Sequence, residues 1–440
     1  MDEDNLKQMF LTVENKNEVF LQMAGTGTMT IDWGDGTRET FTLSYPDTDW
    51  HEGYIYIDDG IWWEKEELVS KYGYSHVYLD NSTRTLTITG ESITHLCCVN
   101  NQLTDLNVKN NTALTELACY NNLLTYLDVS NNTMLDNLDC QRNQLTSLDV
   151  KNNEELTILS CNHNQLTYLD VSNNPMEYLF CHHNQLTSLD LKNNDKLKTL
   201  YCGENQLINL DISQNTVLRE LDCSTSLLTN LDVSKNIALK ELYCYTNELT
   251  TLNVSNNIAL TSLECGDNCL TSLDISKNIT LIKLNCCSNY LTSLDTSKNT
   301  ELKELDCLVN KLKSIDVSKN TALTKLVCCV TQLTNLDISN NAALTELYCN
   351  INQLTSLDVS KNTALVKLNC SENQLTFLDV SKNTALEWLH CDANQLTSLD
   401  ISKNTELKEL FCDTNLISSL EISSNLKLSV LNGKQIEIKQ

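Results

Sequence analysis

The chain has 440 residues, of which 41% are hydrophobic and 20% charged, the proportions of a folded soluble protein. Its formal net charge of −27 argues against a nucleic-acid partner, because phosphate binding needs clustered Lys and Arg, and against an anionic membrane surface. With 2 Pro and 11 Gly there is little material for long flexible linkers, and no apolar run approaches the ~20 residues that cross a bilayer.

Residues 1–90 come first in the chain and carry no repeat. Strand-like runs occur at 19–23, 29–33, 39–43, 75–79 and 85–89. The string Ile31-Asp32-Trp33-Gly34-Asp35-Gly36-Thr37 sets an Asp-Gly turn between two of these runs, a hairpin signal. Together with Tyr74-Ser75-His76-Val77-Tyr78 and Leu86-Thr87-Ile88-Thr89-Gly90, it resembles the WGDGT and H-x-Y motifs of bacterial PKD-type, immunoglobulin-like β-sandwiches. In this chain the second motif runs on into a polar Asp80-Asn81 turn. The resemblance implies a β-sandwich over 1–90 that caps the open end of a repeat array beginning near residue 91. Its aromatic insert at 45–74 includes Trp50, Trp62 and Trp63. These read either as a platform for sugar rings or, more plainly, as packing of the insert onto the sandwich.

From residue 91 onward the cysteines set the frame. They stand at 98, 119, 140, 161, 181, 202, 223, 244, 265, 286, 307, 328, 349, 370, 391 and 412, so 14 of the 15 intervals are 21 residues and one is 20. A fixed period of this size marks a solenoid. The unit reads L-x-x-L-x-C-x-x-N-x-L-x-x-L-D-V-S-x-N-x-x, with an inward set such as Leu114, Leu117, Cys119, Leu124, Leu127 and Val129. Alternation of Leu117 and Cys119 predicts that Leu-x-Cys is a short strand, stacked copy upon copy into a curved parallel sheet. Cys98, Cys119, Cys140 and Cys161 open this structural ladder. Adjacent inward side chains sit about 4.8 Å apart, wider than a disulfide wants, so buried free thiols are expected. No C-x-x-C zinc spacing occurs.

An Asn three residues after the Cys recurs in 14 of 16 copies, Asn122 and Asn143 among them, with Ser226 and Thr331 as exceptions. An inward amide there can satisfy backbone groups where the chain leaves the strand. A second Asn, 13 residues after the Cys, holds in all sixteen copies and suits a tight turn that tolerates the left-handed region. The Asp nine residues after the Cys, from Asp128 to Asp400, reads as a structural cap bonded to the next turn's backbone rather than as a calcium ladder. In the tail, Leu428 and Leu431 keep the pattern while Gly433 replaces the Cys, so 428–440 is expected to be a capping strand.

Sixteen registered copies resemble the leucine-rich-repeat family, specifically its internalin-like bacterial subclass with 21-residue repeats and a cysteine ladder. The expected fold is mainly β, with few helices: a right-handed solenoid of about 16 repeats over 91–427 behind the N-terminal cap. In such a repeat the positions flanking the ladder Cys face outward from the concave sheet. There the chain offers Tyr178, Phe180, His182, Tyr201, Tyr243, Tyr245, Trp388 and Phe411, with Leu308, Val309, Val327, Cys329 and Val330 as an apolar stretch. Aromatic residues with a polar surround suit a protein interface, against the plainer reading that aromatics simply favour strands. His163, His182 and His183 suggest no metal site, because two are sequence neighbours expected to point differently and no carboxylate pair has a fixed spacing to them.

No G-x-S-x-G, H-E-x-x-H, P-loop or dinucleotide motif is present, and neither an enzyme nor a cofactor is expected. The resemblance implies a monomeric binding module, secreted or on a bacterial surface, that recognises a protein of a host or of a bacterial surface. A signal or lipoprotein-type anchor is expected upstream of Asp2. The alternatives are a glycan-capture accessory lipoprotein of a nutrient-uptake system and a passive spacer.

Overall fold

The computed structural model describes residues 7–44, 54–57, 60–63, 73–433 and 437–439. It divides into two compact units, Met1–Asn215 and Thr216–Gln440. Every regular element among the described residues is a β-strand, so the few helices expected do not occur there.

The first unit opens with β1 (Gln8–Val13), β2 (Glu18–Asp32), β3 (Arg38–Thr42), β4 (Tyr54–Ile57), β5 (Gly60–Trp63), β6 (Gly73–Val77), β7 (Arg84–Cys97) and β8 (Leu103–Asn107). Alternation along β1 buries Met9, Leu11 and Val13, the period-2 signature of a half-covered strand. β1 pairs antiparallel with β7 and β8, and β2 pairs antiparallel with β3, β6 and β7. β4 and β5 form a separate antiparallel hairpin. Where β2 shifts register against β7, a Cβ on Gly25 would lie 2.0 Å from the Ser92 carbonyl oxygen, so only glycine fits.

The two motifs of this segment meet in space. Trp33 is fully buried, donates from Nε1 to Glu39 at 2.8 Å, and stacks on His76 at 5.0 Å. His76 reaches Asp35 at 2.8 Å, while the Tyr78 hydroxyl donates to the Trp33 carbonyl at 2.8 Å. The turn's backbone N–H of Thr37 and His76 hold Asp35 down at about 2. β7 continues past residue 90: its last residues, His95–Cys97, pair in parallel with β9 (Glu116–Ala118), the first strand of the stacked turns.

β10 (Asn137–Asp139), β11 (Ile158–Ser160), β12 (Tyr178–Phe180) and β13 (Thr199–Tyr201) extend that parallel ladder one repeat at a time. The strand is x-Leu-x, and the Cys comes directly after it. Leu117 is the buried centre of β9, and Cys119 continues the hydrogen bonding by donating its N–H to the Asp139 carbonyl at 2.8 Å. The inward set Leu114, Leu117, Cys119, Leu124, Leu127 and Val129 is buried throughout. No turn could bury these side chains alone, and stacking supplies the missing wall.

The second unit repeats the scheme with ten three-residue strands, β14 (Glu220–Asp222) to β23 (Glu409–Phe411). Three more complete it: β24 (Ser419–Glu421), β25 (Val430–Asn432) and β26 (Glu437–Lys439). β25 pairs in parallel with β23 in the Leu410–Leu431 register, and β26 pairs in parallel with β24. All 20 cysteines of the chain are free thiols, and the ladder members are buried. Burial pushes Cys181 and Cys370 up to about 12, as inert thiols in an apolar core.

Two columns of Asn hold neighbouring turns together, and a column of Asp caps each turn locally. The Asn122 amide donates to the carbonyls of Cys98 and Cys119 at 3.0 and 2.9 Å, and its oxygen accepts from the Asn101 and Leu103 N–H groups at 3.0 Å. Asn143 makes the same bonds one turn on, to Cys119, Cys140 and the Leu124 N–H. The second Asn column is also inward. Asn132 donates to Val108 and Asn111 at 3.0 and 2.8 Å. It is not the left-handed position. That conformation falls two residues after each Cys, on Asn121 (φ 54), Arg142 (51), His163 (53) and their equivalents, because the backbone must reverse directly after the strand. The Asp column, by contrast, is local: Asp128 and Asp274 each accept from the N–H two residues on, at 3.0 and 2.9 Å, and not from the next turn. These bonds, with those from the same serines' hydroxyls, hold both carboxyls below their ordinary range.

One copy in the second unit carries a hydroxyl in the Val column. Thr296 Oγ1 lies 2.7 Å from Asn320 Oδ1, whereas one turn later Val317 stands where a hydroxyl would reach Asn341 Oδ1, which has no hydrogen-bond partner. Val317→Thr is therefore expected to stay within about 1 kcal/mol of the parent in thermal or urea unfolding, against ~1–3 kcal/mol for burying an unpaired hydroxyl. A loss above ~2 kcal/mol would show that Asn341 does not accept it.

Candidate binding faces

Each strand presents the residues on either side of its buried Leu to the outer face, and the turn after the Cys presents two more. In the first unit, register sets Ile158, Tyr178 and Thr199 side by side, and Ser160, Phe180 and Tyr201 likewise. Tyr178 and Tyr201 are half-buried there. Phe180 departs from the expectation of an exposed contact residue. It is only 6% exposed, because Tyr201 packs edge-on against its ring at 5.3 Å, so it supports the face rather than presenting itself.

Beside these rings the turns bring three histidines together. His163 and His183 occupy equivalent left-handed positions in adjacent turns (φ 53 and 52), and their rings stack at 4.0 Å with 13° between planes. His182 stands edge-on to each, at 5.5 Å. Neighbours 182 and 183 do point differently, with 75° between their ring planes, yet both rings stand beside His163. The sharp reversal after the strand swings residue 183 back over the stack while 182 stays beside it. His163 Nδ1 lies 3.1 Å from the Asn162 amide, and His183 Nε2 is 2.7 Å from Glu204 Oε2. Burial, then His163, His183 and Arg142, pushes His182 down to about 3, so its imidazole is neutral at pH 7. The signal was present in the sequence as His at the second position after the Cys in two successive repeats.

In the second unit, Tyr243 on β15 (Glu241–Tyr243) donates to Glu241 at 2.6 Å and pairs in register with Glu264, itself bridged to Lys283 at 2.6 Å. Tyr245 is the residue after the Cys and is half-buried. A larger cluster spans β20 (Glu346–Tyr348), β22 (Trp388–His390) and β23. Trp388 stacks on His390 at 3.5 Å, His390 meets Phe411 at 4.1 Å, and Tyr348 lies 6.0 Å from Trp388. Tyr348 was not anticipated as a member. Polar contacts rim the rings: His390 Nε2 lies 2.8 Å from Glu409, and ion pairs join Lys367 with Glu346 at 2.9 Å and Lys408 with Glu387 at 2.6 Å. The expected apolar stretch is only partly outward. Leu308, Val309 and Val330 are accessible, but Val327 and Cys329 are 9% and 6% exposed, covered by their neighbours in the stack.

Of the three tryptophans of the aromatic insert, Trp50 lies outside the described residues. Trp62 and Trp63 sit on β5, in register with Ile55 and Tyr54.

Stacked x-Leu-x strands with inward Cys and Asn columns define a leucine-rich-repeat solenoid in each unit. No family model matches the chain, and no curated protein matches it. Among solved structures, the functional domain of InlJ from Listeria monocytogenes, which includes a cysteine ladder, is 37% identical with a TM-score of 0.65, covering 80% of this chain and 74% of its own. A leucine-rich-repeat protein of Leptospira interrogans is 25% identical with a TM-score of 0.69, covering 75% and 93%. The plant peptide hormone receptor RGFR1, in complex with RGF2, is similar in fold alone, at 22% identity and a TM-score of 0.61 over 76% and 68%. The chain belongs to the leucine-rich-repeat family, in its cysteine-ladder, internalin-like branch.

Proposed function

We propose that this protein is a non-catalytic recognition module that binds another protein through the outer faces of its strand ladders, at a bacterial cell surface or after secretion. The observation that carries the reading is the cluster of Tyr348, Trp388, His390 and Phe411. Four aromatic or imidazole rings stand on neighbouring strands within a border of ion pairs. Large, stiff rings release much apolar area on contact at little entropic cost, and a charged rim keeps the free surface soluble while excluding water once bound. Tyr178 and Tyr201 in the first unit and Tyr243 and Tyr245 in the second offer further contacts of the same chemistry. The net charge of −27 favours a partner with a basic face, since opposite potentials steer encounter. Among the described residues no helix is long and apolar enough to cross a membrane.

The test compares capture of surface-protein partners by the parent chain, by Trp388→Ala and by Ser356→Ala, the last at an exposed position away from the strand face. A central aromatic anchor is worth ~2–4 kcal/mol, so Trp388→Ala is expected to weaken binding by roughly 30- to 1000-fold while Ser356→Ala leaves it intact. Undiminished binding by Trp388→Ala would remove this cluster from the interface.

A further inference from the structure

We propose that His163, His182 and His183 form a binding site for a borderline divalent transition-metal ion such as Zn²⁺, with Glu204 orienting one of the ligands.

One ligand atom from each of the three imidazoles lies within 4.8 Å of the others, and among the described residues no other group of His, Cys, Asp or Glu gathers this way. The Nδ1 atoms of His182 and His183 are both buried and have no hydrogen-bond partner. An imidazole nitrogen shielded from water and unpaired is costly, and a cation is the partner that two such lone pairs share best. The third observation concerns His183 on its other side. Its Nε2 lies 2.7 Å from Glu204 Oε2, so the proton sits on Nε2 and the Nδ1 lone pair is left to donate. A carboxylate behind a ligating imidazole fixes tautomer and ring plane and raises ligand basicity.

The backbone builds this arrangement. His163, His183 and Glu204 each occupy the left-handed position two residues after a ladder Cys in successive turns, so the repeat brings them into line. Nitrogen ligands without a carboxylate select Zn²⁺, Ni²⁺ or Cu²⁺ over Ca²⁺ and Mg²⁺. Bonds of ~2.0–2.1 Å place tetrahedral ligand atoms about 3.3 Å apart, so the group closes slightly on the ion. Parallel stacked rings cannot both aim at one ion, and binding turns His163 out of the stack while Glu204 keeps His183 in place. Three protein ligands leave a fourth position for water or an outside donor.

The experiment uses the full chain, stripped with a chelator and titrated with Zn²⁺ and with Co²⁺. One ion per chain is expected. The Co²⁺ form should show visible d–d bands without the sulfur charge-transfer band that thiolate ligation adds. On Zn²⁺ addition the ring resonances of His163, His182 and His183 should shift while those of His76 and His390 stay in place, a readout that needs no variant. His183→Gln is expected to weaken affinity by at least ~100-fold, and Glu204→Gln by roughly 10- to 100-fold. Cys287→Ser, at a half-buried thiol, should change nothing. The site is refuted by no binding at about 100 μM free Zn²⁺, by unchanged affinity in His183→Gln, or by a charge-transfer band that Cys287→Ser removes.

Discussion

Asn268→Ala is expected to lower stability by about 3–5 kcal/mol, an unusually large loss for so small a deletion. The side chain has no apolar role. Its oxygen accepts from the Leu249 N–H at 3.0 Å, and its amide donates to the carbonyls of Cys244 at 3.0 Å, Cys265 at 3.2 Å and Gly266 at 3.0 Å. Alanine leaves the Leu249 donor and at least one carbonyl buried without partners, each at ~1–3 kcal/mol, and adds a small void. The chain contains its own milder version. Thr331 Oγ1 lies 3.0 Å from the Cys328 carbonyl and 2.7 Å from Asn352 Oδ1, so Asn268→Thr should lose roughly half as much as Asn268→Ala. Urea unfolding monitored by circular dichroism gives the magnitude. Hydrogen exchange at the Leu249 amide locates it, since a repeat array need not unfold in one step. A loss below ~1 kcal/mol, or undiminished protection at Leu249, would mean the amide is not the clamp between turns.

The second large effect depends on pH. Asp139 is 2% exposed on β10 and is flanked in register by Ala118 and Ser160, so no counter-charge faces it across the sheet. Gln141 supplies two weak bonds at 3.2 Å, and the surrounding thiols of Cys97, Cys119 and Cys140 are held neutral by burial. Desolvation outweighs the Gln141 bonds and pushes the carboxyl up to about 7 from an ordinary 3.8. The sign comes from proton counts. Below the ordinary value both states are protonated and Asp139 contributes nothing. Between that value and about 7 the unfolded chain ionises while the folded chain keeps its proton, so stability falls as pH rises. Above it the full penalty applies. Asp139→Asn removes the titration and still offers an oxygen to the Gln141 N–H. The difference between variant and parent should therefore grow toward higher pH, to about 2–4 kcal/mol by pH 8, with Asn the more stable. Unfolding both chains at pH 5 and pH 8 tests this, and a pH-independent difference would place the Asp139 carboxylate in contact with water.

The repeat made most of the solenoid legible because it constrains every inward position at once. A Leu or Cys that recurs on a 21-residue period has one interpretation, and its burial in each unit agrees. Less legible was whatever depends on which backbone atom meets which side chain. Both Asn columns read as turn-satisfying residues, yet the left-handed conformation belongs to the second residue after the Cys, occupied by Val309, Glu372 and Ala393 alike. Chemically unlike residues leave no compositional trace of a shared dihedral angle. Which of the residues beside the ladder Cys stand open and which are covered was not legible. Register along the chain cannot reveal that Tyr201 covers Phe180, or that His163, one turn back, closes on His182 and His183. β1 (Gln8–Val13) went unread.

The Asn clamps bear on how such a chain changes over generations. Each clamp bonds only to its own turn and the one before, and near-identical segments recur at a fixed spacing along the chain. Recombination between any two matching points restores the same clamps, so whole turns can be gained or lost while the remainder folds as before. The one 20-residue interval shows that even an imprecise join is absorbed: Met176 donates its N–H to Asn174 at 2.8 Å and fills the core position that a Leu one residue later takes elsewhere. Every such event carries a cassette of outer-face residues with it. A lineage can thus sample new combinations of contact residues by shuffling turns, without first having to evolve a new core.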